Sequence, residues 1–175
     1  GQKFGGTNHP MQFPSEWNAY RTVLDEVCLP FFCEHNTTAC HQQHWLDVRG
    51  NHDSDGIRTR AEEKNLAAAF LVSGDDDVVV RTIRHANQTF RFIGLDVFQQ
   101  TTLPVDCEGV LSLARYRKLL TALTDDSPDT TVVMSHYPLQ YVNVDEDGRL
   151  LHLLQRDFNT SIPISLFLSG HFHQP

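Results

Sequence analysis

The stretch TVVMSHYP, residues 131–138, places a predicted strand directly before a polar turn. Its first four residues are apolar or β-branched, which is typical of a strand in the interior of a sheet. The next two, Ser135 and His136, carry a hydroxyl and an imidazole. The same order occurs in WLDVRGNHD, residues 45–53, and in ISLFLSGHFH, residues 164–173. Three short strands are therefore each predicted to end in residues that can bind a metal ion.

Helical patterns alternate with the predicted strands. Ser15 is a suitable N-cap for a first amphipathic helix, and Pro30 follows the end of that helix. Two apolar runs flank Ala86, Asn87 and Gln88, and this pattern predicts a β-hairpin. The predicted helices span 16–27, 60–70, 111–123 and 149–156, and the hairpin strands span 78–83 and 90–95. Because strands and helices alternate along the chain, the fold class is predicted to be α/β.

The three polar clusters are expected to meet in one crevice. Open α/β sheets bind their ligands outside the carboxyl ends of the strands, which is where each cluster lies. His171 and His173 are two residues apart, so on extended backbone both side chains point the same way and can bind neighbouring metal ions. Gly50 and Gly170 allow the backbone to turn sharply just before the metal-capable residues.

The composition limits the choice of partners. The 175 residues include 22 Asp and Glu against 14 Lys and Arg, for a formal net charge of −8. This balance argues against broad nucleic-acid binding, which needs a basic face. The apolar runs are much shorter than the roughly 18–20 residues that span a bilayer. We therefore expect a cationic ligand or metal ions, and any membrane attachment only through segments outside this chain.

Cysteines and glycosylation sequons favour an oxidising compartment. The sequence has four cysteines, an even number, and three N-x-Ser/Thr sequons. The cysteines are Cys28, Cys33, Cys40 and Cys107, and the sequons begin at Asn36, Asn87 and Asn159. Together they favour the secretory lumen or the extracellular face. A cytosolic protein with free thiols and unused sequons is the alternative.

The pairing of the cysteines stays open, because four cysteines allow three connectivities. In a lumenal protein Cys33 and Cys40 would close a short loop, and Cys28 and Cys107 would pair across the fold. A zinc site built from Cys33, His35, Cys40 and His41 is a competing interpretation. Its spacing matches no familiar zinc-finger pattern.

Taken in order, the clusters resemble a known family. Gly50–Asp53, then Ser135–His136, then Gly170–His173 is similar to the G-N-H-D … H … G-H-x-H series of the calcineurin-like metallophosphoesterases. Phe92–Asp96 resembles the strand that follows the first motif, and Gly109–Leu111 resembles the start of the helix before the isolated histidine. The resemblance implies an α/β/β/α sandwich and a metal-dependent phosphoesterase that hydrolyses a phosphomonoester or phosphodiester with a two-metal-activated hydroxide.

The first predicted helix, with Glu16, Trp17 and Tyr20, makes the chain most similar to a lumenal branch of that family. In that branch the phosphoesterase domain precedes transmembrane helices. The resemblance covers roughly residues 44–173, so residues 1–175 are interpreted as a single, partial metallophosphoesterase domain, truncated at both ends. It implies a glycosylated, disulfide-containing protein of the secretory lumen or extracellular face, membrane-anchored through a further C-terminal part.

The resemblance also implies a set of metal ligands. Asn51, His136 and His171 match the ligands of one metal ion, and His173 matches a ligand of the other. The complete domain is expected to hold two divalent ions, which can be Mn, Fe or Zn because the same N and O ligands accept all three. Two such ions generate a hydroxide near neutral pH and neutralise charge on the phosphorus during in-line attack.

Two further residues match catalytic positions of the family. His52 matches the histidine that contacts the phosphate and protonates the leaving oxygen. Asp53 matches the carboxylate that orients and charges that histidine. Proton donation of this kind contributes about 10²–10⁴-fold to the rate.

The family pattern is incomplete in this sequence. It begins with D-x-H and G-D motifs upstream of G-N-H-D, and nothing before Asn51 fits either. Gly74–Asp77 is interpreted as a turn, with a displaced G-D motif as the alternative. Asp96 is interpreted as a strand-end carboxylate, with a place near the pocket as the alternative. We expect these 175 residues alone to bind at most about one metal ion and to be inactive, because His173 alone cannot hold a second ion.

Two other classes of function stay open at this point. One is a lumenal binding or scaffold module that keeps the phosphoesterase fold without catalysis. The other is a structural zinc protein, which would leave unexplained why metal-capable residues follow three strands. A phosphate ester is the expected substrate class, but the fold does not choose among phosphoproteins, nucleotides, nucleic acids and phospholipids, although the acidic charge disfavours polyanions.

Overall fold

In a computed structural model, the structure describes residues 78–97, 108–125, 128–145, 147–159 and 161–170, together with Asn18, Ala19, Thr22 and Glu26. Strands and helices alternate within these ranges, as the sequence predicts. The strands are β1 Val78–His85, β2 Gln88–Leu95, β3 Gly109–Leu111, β4 Thr130–Ser135, β5 Val142–Val144, β6 Gly148–Arg149 and β7 Leu166–Ser169; the helices are α1 Leu113–Thr124 and α2 Leu150–Phe158. The predicted α/β class is confirmed.

The larger sheet has the order β1-β2-β4-β7. β1 and β2 are antiparallel, whereas β2, β4 and β7 run parallel to one another. The predicted hairpin is confirmed, but its turn is only two residues long, because Gln88 already pairs with His85. The turn residues Ala86 and Asn87 have φ of 48° and 66°. Positive φ at both positions is the signature of a type I′ turn, which suits the twist of two adjacent strands.

The smaller sheet corrects the predicted start of a helix. Leu111 was predicted to begin a helix, but it lies in β3, which pairs with β5 in the order β3-β5-β6. Its side chain is fully buried in the core beside the strand partner Val144. The helix begins two residues later because Ser112 is its N-cap, and the Ser112 hydroxyl accepts a hydrogen bond from the amide of Arg115 at 3.3 Å. A serine at this position satisfies an amide that has no partner inside the helix.

A buried arginine on β2 bonds to the carboxyl end of α1. Arg91 on β2 is 6% exposed, and its Nη1 donates to the carbonyls of Ala122 and Asp125 at 2.6 and 2.8 Å. A guanidinium at the carboxyl end of α1 is favourable because those carbonyls have no partner inside the helix.

Both helices pack against the same apolar core. The core consists of residues from both sheets and both helices: Val78, Ile93, Leu95, Val97, Leu111, Tyr116, Leu119, Ala122, Leu123, Val133, Tyr137, Val142, Val144, Leu150, Leu153 and Leu154.

A polar contact joins the two helices. The hydroxyl of Tyr116 on α1 donates to Oδ2 of Asp157 on α2 at 2.7 Å. Burial and this carboxylate raise the pKa of the Tyr116 phenol. The phenol therefore remains a donor in the physiological range, and the contact fixes α2 against α1.

The remaining predicted elements are described only in part. Helix 149–156 is observed as Leu150–Phe158, and strand 164–168 as Leu166–Ser169. Of helix 16–27 the structure describes Asn18, Ala19, Thr22 and Glu26, which have helical backbone and exposed side chains. Strand 45–48 and helix 60–70 lie outside the described residues. Within the part of the chain that is described, no helix is long and apolar enough to cross a membrane.

Candidate metal centre

Three parallel strands of the larger sheet end at one edge. Leu95 of β2 pairs with Ser135 of β4, and Ser135 pairs with Ser169 of β7. Asp96, His136 and Gly170 are the residues that follow these three in the chain. The carboxyl ends of β2, β4 and β7 therefore lie side by side at one edge of the sheet, which is where open α/β sheets bind their ligands.

His136 lies beside the segment that leads into the last predicted motif. Its carbonyl accepts a hydrogen bond from the amide of Gly170 at 3.1 Å. A Cβ atom built on Gly170 would lie 3.7 Å from the His136 Nδ1 atom. The backbone of the residue that precedes His171 is thus hydrogen-bonded to that of His136, so the segment that leads into the last predicted motif lies next to the motif after β4.

Tyr137 packs against the ring of this histidine. The two rings meet edge to face, with centroids 5.1 Å apart and an interplanar angle of 87°. Tyr137 is buried, and a Cβ atom on Gly109 would come within 2.9 Å of its Cδ2 and within 2.7 Å of Cγ2 of Val97. Only glycine fits this position without displacing its neighbours. The start of β3 therefore packs directly behind the residues that flank His136.

Two polar residues at this edge are more buried than the sequence indicates. Asp96 is 3% exposed, although a strand-end or turn carboxylate is normally solvated. Ser135 is also 3% exposed, and its Oγ atom has no hydrogen-bond partner among the described residues. The sequence analysis places Ser135 in the polar cluster after the central strand but assigns it no ligand or catalytic role. Its position directly before His136 at the end of an apolar run was the available signal.

Most of the predicted site lies outside the described residues. This applies to Asn51, His52, Asp53, His171 and His173, and His136 is the one predicted site residue that the structure describes. The displaced G-D alternative at 74–77, the four cysteines and the alternative zinc site lie outside as well. Within the described ranges, no three His, Cys, Asp or Glu side chains come together as a metal-binding group.

A family comparison agrees with this architecture. The family model for calcineurin-like phosphoesterases matches residues 18–175. The match covers most of the chain, so the chain belongs to the calcineurin-like phosphoesterase family. The two sheets with their helices are consistent with the metallophosphoesterase fold. Comparisons with curated proteins and with solved structures give no significant match to either.

The residues at the carboxyl edge fit the metal chemistry of this family. Members generally use divalent metal ions to hydrolyse phosphate esters. His136 supplies an imidazole, which is a ligand type that Mn, Fe and Zn accept, and the carboxylate of Asp96 follows the adjacent strand at the same level. Gly170 places no side chain of its own beside the imidazole of His136.

Proposed function

We propose that this chain is a metal-dependent phosphoesterase that hydrolyses a phosphomonoester or a phosphodiester. The observation that carries the proposal is the contact between His136 and Gly170 at the carboxyl edge of the sheet. It supports a single site, because the family's isolated histidine and its G-H-x-H segment have to meet for any metal to be bound.

In this proposal Asn51, His136 and His171 hold one metal ion, and His173 contributes to the second. The imidazole of His136 is suited to this role because its backbone is fixed by Gly170 and its ring is flanked by buried Tyr137. When bound, the two cations lower the pKa of a water molecule and offset the negative charge that develops on the phosphoryl oxygens.

The protein's own proton chemistry is assigned to His52 and Asp53. As water attacks the phosphorus and the bond to the leaving oxygen breaks, a ring N–H of His52 donates its proton to that oxygen. Asp53 accepts a hydrogen bond from the other ring nitrogen, which orients His52 and favours its protonated form. The products are an alcohol and a phosphate, or a phosphomonoester where the substrate is a diester.

The test combines metal analysis with a substrate panel. The full natural chain is assayed against aryl phosphomonoesters and phosphodiesters before chelation, after chelation, and after readdition of Mn²⁺, Fe²⁺ or Zn²⁺. The expected result is hydrolysis that disappears on chelation and returns with metal. A protein that binds metal but hydrolyses no ester would favour the binding-module alternative, and a protein that binds no metal would overturn the proposal.

His52→Ala separates catalysis from metal binding. We expect kcat to fall by about 10²–10⁴-fold while the metal content stays near that of the wild type, because His52 is assigned to proton transfer. His152→Ala is the matched control, since His152 is an exposed histidine on α2. If His52→Ala strips the protein of metal, His52 is a ligand and the division of roles is wrong.

We also propose that the protein belongs to the lumenal branch of the family and functions in the secretory lumen or on the extracellular face. Two sequon asparagines support this proposal, because Asn87 and Asn159 are both exposed. Asn87 lies in the β1–β2 turn, and Asn159 follows the end of α2. A glycan at either position would extend into solvent without displacing a buried group.

Glycosidase treatment of protein from a eukaryotic secretory host tests this compartment. Thr89→Ala and Ser161→Ala each remove one sequon and leave the asparagine in its turn, so each is expected to abolish one mobility shift. Non-reducing peptide mapping tests the cysteines in the same sample. Four alkylatable thiols together with no glycan would overturn the lumenal assignment and leave the phosphoesterase proposal untouched.

A further inference from the structure

We infer that Asp96 is a positioning residue of the metal centre, which acts through His136. Its carboxylate holds the imidazole in the orientation that binds metal and increases the basicity of the ring. This inference rests on the proposed function, because it assigns Asp96 to the same metal site. It replaces the sequence-based interpretation of Asp96 as an ordinary strand-end carboxylate.

The strand register carries the first part of the argument. Leu95 pairs with Ser135 in a parallel ladder, so Asp96 and His136 follow on adjacent strands at the same level. Adjacent strands are about 4.8 Å apart, which is within the combined reach of a carboxylate and an imidazole. A ligating histidine almost always has a hydrogen-bond acceptor for its second ring nitrogen, and a carboxylate is the strongest such acceptor.

Burial carries the second part. Asp96 is 3% exposed, whereas the Asp125 side chain at the end of α1 is 67% exposed. A carboxylate is seldom removed from water to this extent unless a cation or strong hydrogen-bond donors compensate for the loss of hydration. A metal-bound His136, whose second ring N–H is such a donor, would add to the compensation that Asp96 already has.

The rigidity of its surroundings carries the third part. Asp96 lies between Leu95, which is fully buried in the sheet, and Val97, which is fully buried behind it. The carbonyl of Val97 accepts a hydrogen bond from the amide of Val110 at 2.8 Å, so the backbone is held on both sides of Asp96. A group that orients a metal ligand has to be held in this way to be effective.

Other aspartates of the chain show what a purely structural role looks like. Asp129 accepts from the Thr89 amide at 2.6 Å, and Asp145 accepts from the Leu113 amide at 2.6 Å. Both are exposed, and both complete the backbone hydrogen bonding of a strand or helix end. Asp96 differs from them in its burial and in its place beside His136.

The test compares Asp96→Asn and Asp96→Ala with the wild type in the full natural chain. The dissociation constant for Zn²⁺ is measured by competition with a chromophoric chelator, and the absorption spectrum of the Co²⁺ form reports the ligand geometry. Asp96→Ala is expected to weaken Zn²⁺ binding by about 10–100-fold. Asp96→Asn keeps an acceptor oxygen but loses the charge, so its affinity should lie between the other two. Both variants should change the Co²⁺ spectrum.

Asp129→Asn is the matched control, because it makes the same charge change at the opposite end of β4. It should leave the Zn²⁺ affinity and the Co²⁺ spectrum unchanged. Circular dichroism and unfolding in chelator establish that the variants fold without metal. If Asp96→Ala does not fold, the near-isosteric Asp96→Asn carries the test.

Each outcome addresses one proposal. A wild-type protein that binds no metal would overturn the proposed function itself. Wild-type affinity and an unchanged Co²⁺ spectrum in folded Asp96→Asn and Asp96→Ala would overturn the present inference and leave the proposed function standing. Loss of a whole metal equivalent from Asp96→Asn would also overturn it, because Asp96 would then be a ligand and not a positioning residue.

Discussion

The polar side chains at the two ends of the larger sheet differ in their burial and in what they bond to. At the amino end of the parallel strands, Asp129 accepts from the Thr89 amide and the Ser165 hydroxyl accepts from the Thr131 amide at 3.1 Å. These side-chain oxygens accept hydrogen bonds from backbone amides that the strand pairing does not satisfy. At the carboxyl end, Asp96 and Ser135 are buried beside His136.

The difference distinguishes polar side chains that stabilise the sheet from polar side chains that are proposed to serve the metal site. Polar groups that serve the backbone lie near the surface, where water compensates for any imperfect bond. Polar groups buried at a strand end cost stability unless something compensates for their lost hydration, so a protein keeps them where they have another use. The contrast therefore favours the carboxyl end as the place of the proposed site, on grounds that do not depend on a sequence motif.

The largest effect is expected from removing a histidine at the carboxyl end. His136→Ala should abolish tight metal binding and, with it, phosphoesterase activity, because it removes a proposed ligand. His85→Ala is the matched control, since His85 is an exposed histidine at the opposite end of the same sheet. Metal analysis and a phosphoesterase assay measure both. Equal metal content in the two variants would contradict the proposal that metal binds at the carboxyl end of the sheet.

The next effect concerns the packing behind the site. Gly109→Ala introduces a Cβ atom 2.7 Å from Val97 Cγ2 and 2.9 Å from Tyr137 Cδ2, so these side chains must shift. Overpacking of this kind should lower the free energy of unfolding by about 1–3 kcal/mol. Because Tyr137 flanks His136, metal affinity should fall as well.

Denaturant unfolding and Zn²⁺ titration of Gly109→Ala test these two effects together. Gly148→Ala is a useful control for the glycine change alone, because the space around Gly148 is open although its φ is +116°. Gly148→Ala should cost stability through backbone strain without changing metal affinity. Reduced Zn²⁺ affinity in this control would contradict the link between Tyr137 packing and the site.

A smaller effect is expected at the amino end. Asp129→Ala removes the acceptor of the Thr89 amide and should lower the free energy of unfolding by about 1 kcal/mol. Metal content and activity should not change. Chemical denaturation and metal analysis check both statements. A fall in activity at constant stability would show that the amino end also contributes to function.

The smallest expected effect is the pH-dependent stabilisation by the Glu108–Arg149 ion pair next to the smaller sheet. A hydrogen bond from Arg149, with a second from Asn143, lowers the pKa of the Glu108 carboxyl. A lowered folded-state pKa stabilises the protein above the unfolded value of about 4.3, and this contribution is lost as the pH falls through the folded-state pKa.

Glu108→Gln tests this dependence by denaturant unfolding at several pH values. Because the pair is partly exposed, the cost at neutral pH should stay below about 1 kcal/mol. The difference between variant and wild type should shrink as the pH falls below about 4.3. A difference that stays constant down to strongly acidic pH would show that the charge of Glu108 is not its source.

The sequence predicted the hairpin, the central strand and both described helices, because their patterns depend on local residue preferences. It placed Leu111 in a helix because the apolar spacing of α1 continues backwards through that residue. The sequence analysis did not recognise Ser112 as the N-cap of this helix. The predicted strand 164–168 included Ser165, but the observed strand β7 begins at Leu166. The Ser165 hydroxyl accepts a hydrogen bond from the Thr131 amide.

The candidate site was predicted less completely for a physical reason. His136 was found because its residue type and its place after an apolar run are visible in the sequence. The burial of Asp96 was not visible, because it depends on how β2 lies against β4 and on Val97 behind it. Side-chain burial at a strand end is set by tertiary packing, which a local pattern does not encode.

The two-residue turn between β1 and β2 has a practical use. Asn87 and Asp96 are nine positions apart on nearly continuous strand, which corresponds to about 30 Å. A fluorophore, an affinity tag or a sugar chain attached at the turn would therefore project away from the edge where metal and substrate are proposed to bind. The hairpin is accordingly a suitable attachment point for immobilising the protein on a sensor surface with the proposed site facing solution.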